Sequence, residues 1–302
     1  MLELVRGYFT AALDSVERDG DQSFAGVLGD LSAVDELLIA SEPLRVALTD
    51  PSIVASSRAA VLEELLAGKI AIQALRVLTY AVAWERAAEL PATVEQLVEI
   101  ADFARQSAED GGREVAEPPA GRSGALERLR GYSDWELESV TDPAEIDEIE
   151  DELFRLARIV EGSSELRHAL ADLEVPVERR VALLSELVST KVQDATARLA
   201  CYLVRAGRPR DIAGTFNYLA ELAARERGRR VAHVRAALEL SEDERNRLAA
   251  ALGRIVRRPV ELRVTIDSSV IGGIEVEVGD TVIDGTLRHR LEQLRETLLQ
   301  RA

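Results

Sequence analysis

Apolar residues recur at intervals of three and four along the first 230 residues of the chain. This spacing places them on one side of amphipathic helices, which pack that side against their neighbours. Residues that favour turns or end helices divide the pattern into about six short helices before the first long break and about six after it. The interruptions fall at Asp19–Gly20–Asp21, Asp50–Pro51, Gly68 and Pro91, and then at Asp142–Pro143, Gly162–Ser163, Pro176 and Pro209.

The two helical stretches are copies of each other. LRVALTD, which begins at Leu44, returns as LRHALAD at Leu166, and the offset of 122 residues then continues without a gap. Of the 63 residue pairs from 44/166 to 106/228, 20 are identical, which is more than chance produces. We therefore predict two tandem six-helix bundles, at residues 1–107 and 125–230, joined by a Gly- and Pro-rich linker at 108–124.

The pattern changes to an alternation of apolar and polar residues after Arg230, which is typical of half-buried strands. Three such stretches, at 231–238, 260–267 and 273–280, are accompanied by two helices. Ser241 and Glu244 are spaced to form a capping box at the start of the first helix, and Asp284 is the expected N-cap of the last. The predicted fold is therefore mostly α, with a small α/β domain of order β-α-β-β-α at residues 231–302.

Composition limits the classes of function. The chain carries 54 acidic and 37 basic residues, a net charge of −17, which argues against binding to nucleic acid phosphates. A single cysteine forms no internal disulfide and fits a reducing, cytoplasmic location. No apolar run reaches the length of about 18 residues that a membrane span needs, and the first residues do not resemble a signal peptide.

Groups with catalytic potential are few. His168, His233 and His289 lie in different predicted elements, without the spacing of metal ligands. Cys201 stands among apolar residues at helical spacing, where a thiol behaves as a small core residue. We therefore predict no catalytic, cofactor or metal site.

The C-terminal third resembles a known family. In VELRVTIDSSVIGGIEVEVGDTVIDGTLRHRLEQL, two strands flank an Asp, a pair of glycines, a Gly-Asp turn and an Asp-Gly before the last helix. This arrangement is similar to the signature of the ATP synthase delta subunit family, the bacterial counterpart of the oligomycin-sensitivity-conferring protein. The family's first helix carries a Tyr and an Ala-Leu pair, as in GYFTAALDSV from Gly7, and a late Gly-Arg is matched by Gly207–Arg208. The signature residues here are Asp267, Gly272, Gly273, Gly279, Asp280, Asp284 and Gly285.

The resemblance implies a non-catalytic subunit of the peripheral stalk, or stator, without a cofactor. In the family, the helical domain holds the N-terminal helix of an ATP synthase α subunit, and the C-terminal domain holds the C-terminal region of the b subunit. The complex lies at the cytoplasmic face of the cell membrane. Since most members have one bundle, the second bundle is a departure that leaves two candidate grooves for the α-subunit helix. Their residues would be Tyr8, Ala12, Val77 and Ala81 in the first copy, and Leu126, Leu129, Leu199 and Leu203 in the second.

Two other functions are compatible with the residues alone. A helical adaptor of another complex would use the same amphipathic helices, and an enzyme would combine a helical substrate domain with the small α/β domain. An enzyme should show a concave pocket with converging polar groups, whereas a stator should show an apolar groove for a partner helix.

Overall fold

The structure, a computed structural model of the chain, describes residues 2–19, 24–109, 124–206, 211–256, 260–267, 270, 272–278 and 281–284. The described part is mostly helical and has a small mixed β-sheet near its C-terminal end, which confirms the predicted class. The helices are α1 (Leu2–Asp19), α2 (Phe24–Ala40), α3 (Glu42–Thr49), α4 (Ala55–Leu66), α5 (Ile72–Trp84), α6 (Leu90–Glu109), α7 (Ala125–Ser139), α8 (Pro143–Gly162), α9 (Ser164–Ala171), α10 (Val177–Val188), α11 (Asp194–Ala206), α12 (Ile212–Arg230) and α13 (Glu242–Val256), with a 3-10 helix at Ala87–Glu89.

Helices begin and end near the residues that predict breaks. Asp19 is the last residue of α1, Pro143 is the first of α8, and Pro176 is the N-cap of α10. Gly68, just after α4, has a φ of 73°, a left-handed conformation that glycine adopts without a steric penalty. The predicted breaks at Gly20–Asp21 and Pro209 lie outside the described residues.

The internal repeat is visible in atomic detail at α3 and α9. Each helix has a serine N-cap whose hydroxyl accepts a hydrogen bond from a main-chain N–H, from Leu44 to Ser41 and from Leu166 to Ser163. A buried arginine of the next helix, α4 or α10, donates from Nη1 to a carbonyl oxygen in the last turn of each, at 3.0 Å in both copies. The first such pair is Arg58 with Leu48, and the equivalent pair is Arg180 with Leu170.

The sheet has the strand order β2-β1-β3-β4. Its central strand β1 (Val231–Ala236) runs parallel to β2 (Glu261–Ile266) and antiparallel to β3 (Ile274–Val278). The parallel pairing needs a crossover connection, which α13 supplies. Leu252 of α13 is buried against Val234 and the other inward residues of the sheet, so a helix covers one face.

A fourth strand corrects the predicted β-α-β-β-α order. Thr281–Asp284 forms β4, antiparallel to β3, with Val278 opposite Thr281. Asp284 is the last residue of this strand and pairs with Glu275; its predicted role as the N-cap of the last helix stays a prediction. The strand has only four residues, too few for alternation to distinguish it from a loop. The predicted last helix lies outside the described residues.

The capping box of α13 is confirmed. The main-chain N–H of Ser241 donates to Glu244 Oε2 at 2.9 Å, and the N–H of Glu244 donates to the Ser241 hydroxyl at 3.4 Å. The Ser241 hydroxyl also donates to Glu244 Oε2, at 2.7 Å. This hydrogen bond and the one from the Ser241 main-chain N–H lower the pKa of the Glu244 carboxyl from its ordinary value, because they favour the charged form.

The described chain divides into two compact units whose boundaries fall inside helices. Unit 1 comprises Met1–Glu136 and Ala157–Leu219, and unit 2 comprises Leu137–Leu156 and Ala220–Ala302. The helices α7, α8 and α12 therefore contribute to both. In unit 2, Arg227 of α12 forms ion pairs with Asp147 and Glu150 of α8, at 3.3 and 3.0 Å. The bundle limits at 107, 125 and 230 stay predictions, and residues 110–123 of the expected linker lie outside the described residues.

Candidate partner-binding site

The residues predicted to line a partner groove lie on α1, α5, α7 and α11, but they are not open to solvent. Seven of the eight are buried, and Leu126 is half-buried. The buried residues are Tyr8, Ala12, Val77, Ala81, Leu129, Leu199 and Leu203. Within unit 1, therefore, these side chains form part of the core and do not line an open groove.

The first helices of the two copies touch through glycines. A methyl group on Gly7 of α1 would overlap the main-chain carbonyl of Arg128 in α7, and one on Gly131 of α7 would overlap that of Leu4 in α1. The contact is reciprocal, because Gly131 and Arg128 stand 124 residues after Gly7 and Leu4. Glycine is the residue that permits two backbones to approach this closely. Arg128 and Glu3 also form an ion pair across the two helices.

Each of these glycines is followed by a tyrosine whose ring stacks on a second tyrosine from another helix. Tyr8 of α1 stacks on Tyr80 of α5 with ring centroids 3.8 Å apart, and Tyr132 of α7 stacks on Tyr202 of α11 at 3.9 Å. All four rings are buried. Each pair joins the first and fifth helices of one copy, so the two copies keep the same internal packing.

Aromatic and charged residues of α7 cover the surface formed by α1 and α5 in the first copy. Trp135 meets Tyr8 edge-on at 5.1 Å between centroids, and the guanidinium of Arg76 lies 3.7 Å from the centroid of the Trp135 ring. The hydroxyl of Tyr80 donates to Asp134 at 2.6 Å. Because Arg76 and Tyr80 belong to α5 and Tyr8 to α1, α7 lies over the α1–α5 surface where a partner helix was expected.

Ion pairs of the buried Glu136 connect α7 to both α1 and α11. Glu136 of α7, whose side chain is 1% exposed, binds Arg18 of α1 at 3.3 Å and Arg198 of α11 at 2.8 Å. Burial opposes the charged form of Arg198, but Glu136 outweighs this effect and raises its pKa. Removing Glu136 would leave two half-buried arginines without this carboxylate, which destabilises the fold.

A second polar link surrounds Asp14 of α1. Its carboxylate accepts a hydrogen bond from the Tyr132 hydroxyl at 2.7 Å and forms an ion pair with Arg205 of α11 at 3.0 Å. Burial raises the pKa of Tyr132 well above its ordinary value, and the negative charge of Asp14 adds to this effect. The phenol therefore stays protonated and donates to Asp14.

The C-terminal signature residues are only partly described. Asp267 follows β2 and accepts hydrogen bonds from Arg235 Nε and Nη2, at 3.1 and 2.7 Å, and Arg235 also binds Glu275 at 2.8 Å. Gly272 and Gly273 have φ values of 65° and 81°, a left-handed conformation that glycine adopts without a steric penalty. Gly279, Asp280 and Gly285 lie outside the described residues.

Sequence reasoning matched α1 with α7 as the first helices of the two copies but missed the register between them. LELVRGY at residues 2–8 returns as LERLRGY at residues 126–132, at an offset of 124 rather than 122. At the offset of 122 that relates residues 44–106 to 166–228, this match is out of register by two residues. With the right offset, the repeated Gly-Tyr pair would have identified the packing glycines.

The candidates for chemistry are dispersed. His168 lies in α9 and His233 in β1, and His289 lies outside the described residues. No group of three or more His, Cys, Asp or Glu side chains suited to a metal ion is found in the described ranges. Among the described helices, none is long and apolar enough to cross a membrane.

Comparison with known proteins gives a consistent result. The family model of the ATP synthase delta (OSCP) subunit matches residues 4–109 and 137–298. The ATP synthase subunit delta of Nocardia farcinica (strain IFM 10152) is 36% identical over 282 residues, which cover 92% of each chain. That of Salinispora arenicola (strain CNS-205) is 35% identical over 294 residues, 96% of this chain and 94% of that protein. The ATP synthase subunit b-delta of Mycobacterium sp. (strain KMS) is 34% identical over 281 residues, 92% of this chain and 56% of that protein.

Proposed function

This chain belongs to the ATP synthase delta (OSCP) subunit family, and we propose from this membership how it works in the enzyme. It is a subunit of the peripheral stalk of an ATP synthase. The observation that carries this conclusion is the match of the family model to residues 4–109 and 137–298.

We propose that the subunit has no chemistry of its own and acts as a static connection. A stator must resist the torque that rotation exerts on the catalytic head. That task needs rigid modules and several contacts that act together, because linked contacts hold more tightly than any single one. The buried ion pairs of Glu136 and the paired tyrosine stacks supply such rigidity within unit 1.

Contact with the head is proposed to use the N-terminal helices of ATP synthase α subunits. The acidic character of the chain, with a net charge of −17, favours a helix with a basic face. An apolar stripe laid between two helices is a common mode of helix recognition. Binding at Tyr8, Ala12, Val77 and Ala81 requires α7 to leave this surface, since the groove of the first copy is filled by the second.

A cross-link tests whether the groove must open. Glu3 and Arg128 pair across α1 and α7, so a disulfide between Glu3→Cys and Arg128→Cys, in a Cys201→Ser background, would hold the two helices together. Binding of an α-subunit N-terminal peptide that is present in the reduced protein and lost in the oxidised protein would support the groove. Equal binding by both forms would place the contact on another surface.

Contact with the b subunit is proposed to use unit 2, which contains the β-sheet. The name of the mycobacterial relative joins b and delta in one chain. A physical link between the two parts fits a stalk whose b region ends beside the delta region. We propose the C-terminal region of b as the partner.

Co-purification of the full chain with the other subunits tests the role. The tagged chain should retain both an ATP synthase α subunit and the b subunit. A helical adaptor of another complex would retain neither, and that result would overturn the proposal. A location at the cytoplasmic face of the membrane, held through b, is part of the proposal and predicts that the chain leaves the membrane fraction when b is absent.

A further inference from the structure

The two copies have kept some exposed residues as well as parts of their cores. Of the 20 identical pairs between residues 44–106 and 166–228, six are exposed in both copies among the described residues. Four of these six lie on α4 and α10 or in the turn after each helix. They are the pairs Ala60/Ala182, Glu64/Glu186, Leu65/Leu187 and Lys69/Lys191.

The leucines in this set are kept where other exposed apolar residues are not. Leu65 and Leu187 are each 40% exposed. Three exposed apolar residues of the first copy correspond to polar residues in the second, in the pairs Val46/His168, Ile72/Asp194 and Phe103/Arg225. Substitutions at exposed positions change stability little, so the fold alone does not require a leucine here. Its presence in both copies indicates a constraint from outside the chain.

Each of the two helices has an apolar patch on its outer side. Val61 is half-buried and Leu183 is 37% exposed, and they stand four positions before Leu65 and Leu187. Residues at this spacing are neighbours on one side of a helix. We call the side of α4 that carries Val61, Glu64 and Leu65 the α4 face, and the equivalent side of α10 the α10 face. Both faces belong to unit 1.

Two equivalent faces point to a partner that offers the same segment more than once. A partner with one binding segment would need only one of the faces, and the other could then diverge as the remaining surface of the repeat has done. Of the partners proposed above, the α subunits offer the same N-terminal helix in more than one copy.

We propose that the α4 and α10 faces are two docking surfaces, each of which holds one amphipathic helix from the N-terminus of an ATP synthase α subunit. The helix would lay its apolar stripe on Leu65 or Leu187, because apolar burial supplies affinity. It would place a basic residue against Glu64 or Glu186, which orients the helix through opposite charges. Two such contacts on one chain hold more tightly together than either does alone.

These faces differ from the predicted groove because they are open. Tyr8 and Val77 are buried and α7 lies over them, whereas Leu65 and Leu187 meet a partner without any movement of the chain. The identity of the partner rests on the proposed contact with α subunits, but the retention of the two faces does not. The inference therefore has a test of its own, which a failure of the stalk role would not imitate.

Calorimetric titration of the full chain with a peptide of the α-subunit N-terminal helix, from the same organism, counts the sites. The wild type should bind two peptides on these faces. Leu65→Gln or Leu187→Gln should weaken one site about tenfold, since each removes an apolar contact from the bound helix. The double variant should lose both sites and keep its helical circular dichroism, because neither leucine is part of the core.

Val46→Gln is the matched control. It makes the same kind of change at an exposed apolar residue that the repeat has not kept, since His168 stands at the equivalent position. This variant should bind both peptides as tightly as the wild type. The oxidised protein with Glu3→Cys and Arg128→Cys should also bind two peptides, because a closed groove leaves both faces open. A further peptide bound only by the reduced form would belong to the groove and is counted separately.

Exchange of the acidic residues tests the expected charge of the partner. Glu64→Gln combined with Glu186→Gln should slow association and reduce its dependence on salt, since opposite charges steer the encounter. An unchanged salt dependence would overturn the choice of a helix with a basic residue at this position.

Several results would overturn the proposal. These are wild-type binding by the folded double variant, loss of a site through Leu65→Gln but not through Leu187→Gln, and absence of peptide binding to the wild type. Dimerisation of the chain that Leu65→Gln abolishes would assign the face to a second copy instead. If the double variant still co-purifies with the α subunit as the wild type does, docking at these faces is refuted while the stalk role stands.

Discussion

Gly7 of α1 lies so close to Arg128 of α7 that no side chain fits between them, because an added methyl group would overlap the Arg128 carbonyl. The same relationship holds in reverse between Gly131 and Leu4. The two copies therefore pack through equivalent backbone positions, much as two subunits of a symmetric dimer do. The pairing hides the surfaces at which each copy would hold a foreign helix.

The glycine contact predicts a large effect of a small substitution. Gly7→Ala or Gly131→Ala should lower the free energy of unfolding by about 1–3 kcal/mol, since the new methyl group must push two helices apart. Urea denaturation followed by circular dichroism measures the change. Gly26→Ala and Gly29→Ala are matched controls in α2, where an added methyl group meets nothing within 4 Å. They should be stabilising by up to about 1 kcal/mol, because alanine favours a helix, and destabilisation in all four variants would contradict the prediction.

The buried arginines of the repeat should be equally important in both copies. Arg58→Met and Arg180→Met each remove a hydrogen bond of 3.0 Å to a main-chain carbonyl at the end of a short helix. Hydrogen bonds that involve a charged group contribute about 1.5–3 kcal/mol, so we expect a loss of that order in the free energy of unfolding for each. The exposed Arg45 provides a control, and Arg45→Met should stay within about 0.5 kcal/mol of the wild type. A wild-type denaturation midpoint for either buried variant would show that its hydrogen bond does not stabilise the fold.

Because the pKa of Glu85 is raised, we expect its contribution to the free energy of unfolding to fall as pH rises. Burial raises the pKa of its carboxyl above the ordinary value, and the nearby Glu89 adds to the effect. The folded state therefore binds this proton more tightly than the unfolded state, and its advantage is lost as pH rises from the unfolded pKa through the folded pKa. Glu85→Gln should unfold at higher urea concentration than the wild type at pH 7.5, and this difference should vanish in acid. Glu89→Gln, at a more exposed carboxylate, should show little change, and a destabilised Glu85→Gln at pH 7.5 would refute the explanation.

The capping box at α13 predicts the opposite dependence on pH. The pKa of Glu244 is lowered by its hydrogen bonds with the side chain and main chain of Ser241. Its contribution to stability is therefore present above the unfolded pKa and lost as pH falls through the folded pKa. In a carboxyl NMR titration, Ser241→Ala should move the pKa of Glu244 back towards its ordinary value, whereas Ser241→Thr should keep it low. Equal pKa values in the wild type and Ser241→Ala would mean that the cap does not act on this carboxyl.

Features that depend on neighbours in the chain could be predicted from the sequence. The Ser241–Glu244 box and the loop glycines Gly272 and Gly273 follow from local backbone geometry. The strand β4 escaped prediction because four residues carry little periodic signal. The candidate site was harder to predict. Periodicity places Tyr8 or Leu199 on the apolar face of a helix, but it does not identify which part of the chain covers that face.

The sequence by itself determined that this protein is mostly helical, that residues 166–228 repeat the pattern of residues 44–106, and that it belongs with the stator subunits. These properties follow from the spacing of apolar residues and from residue identities along the chain. Only the tertiary structure decided that α1 and α7 lie against each other. That choice depends on the fit of Gly7 and Gly131 to backbone more than 100 residues away. Contacts of this kind are set by shape in three dimensions, which a hydrophobic pattern does not encode.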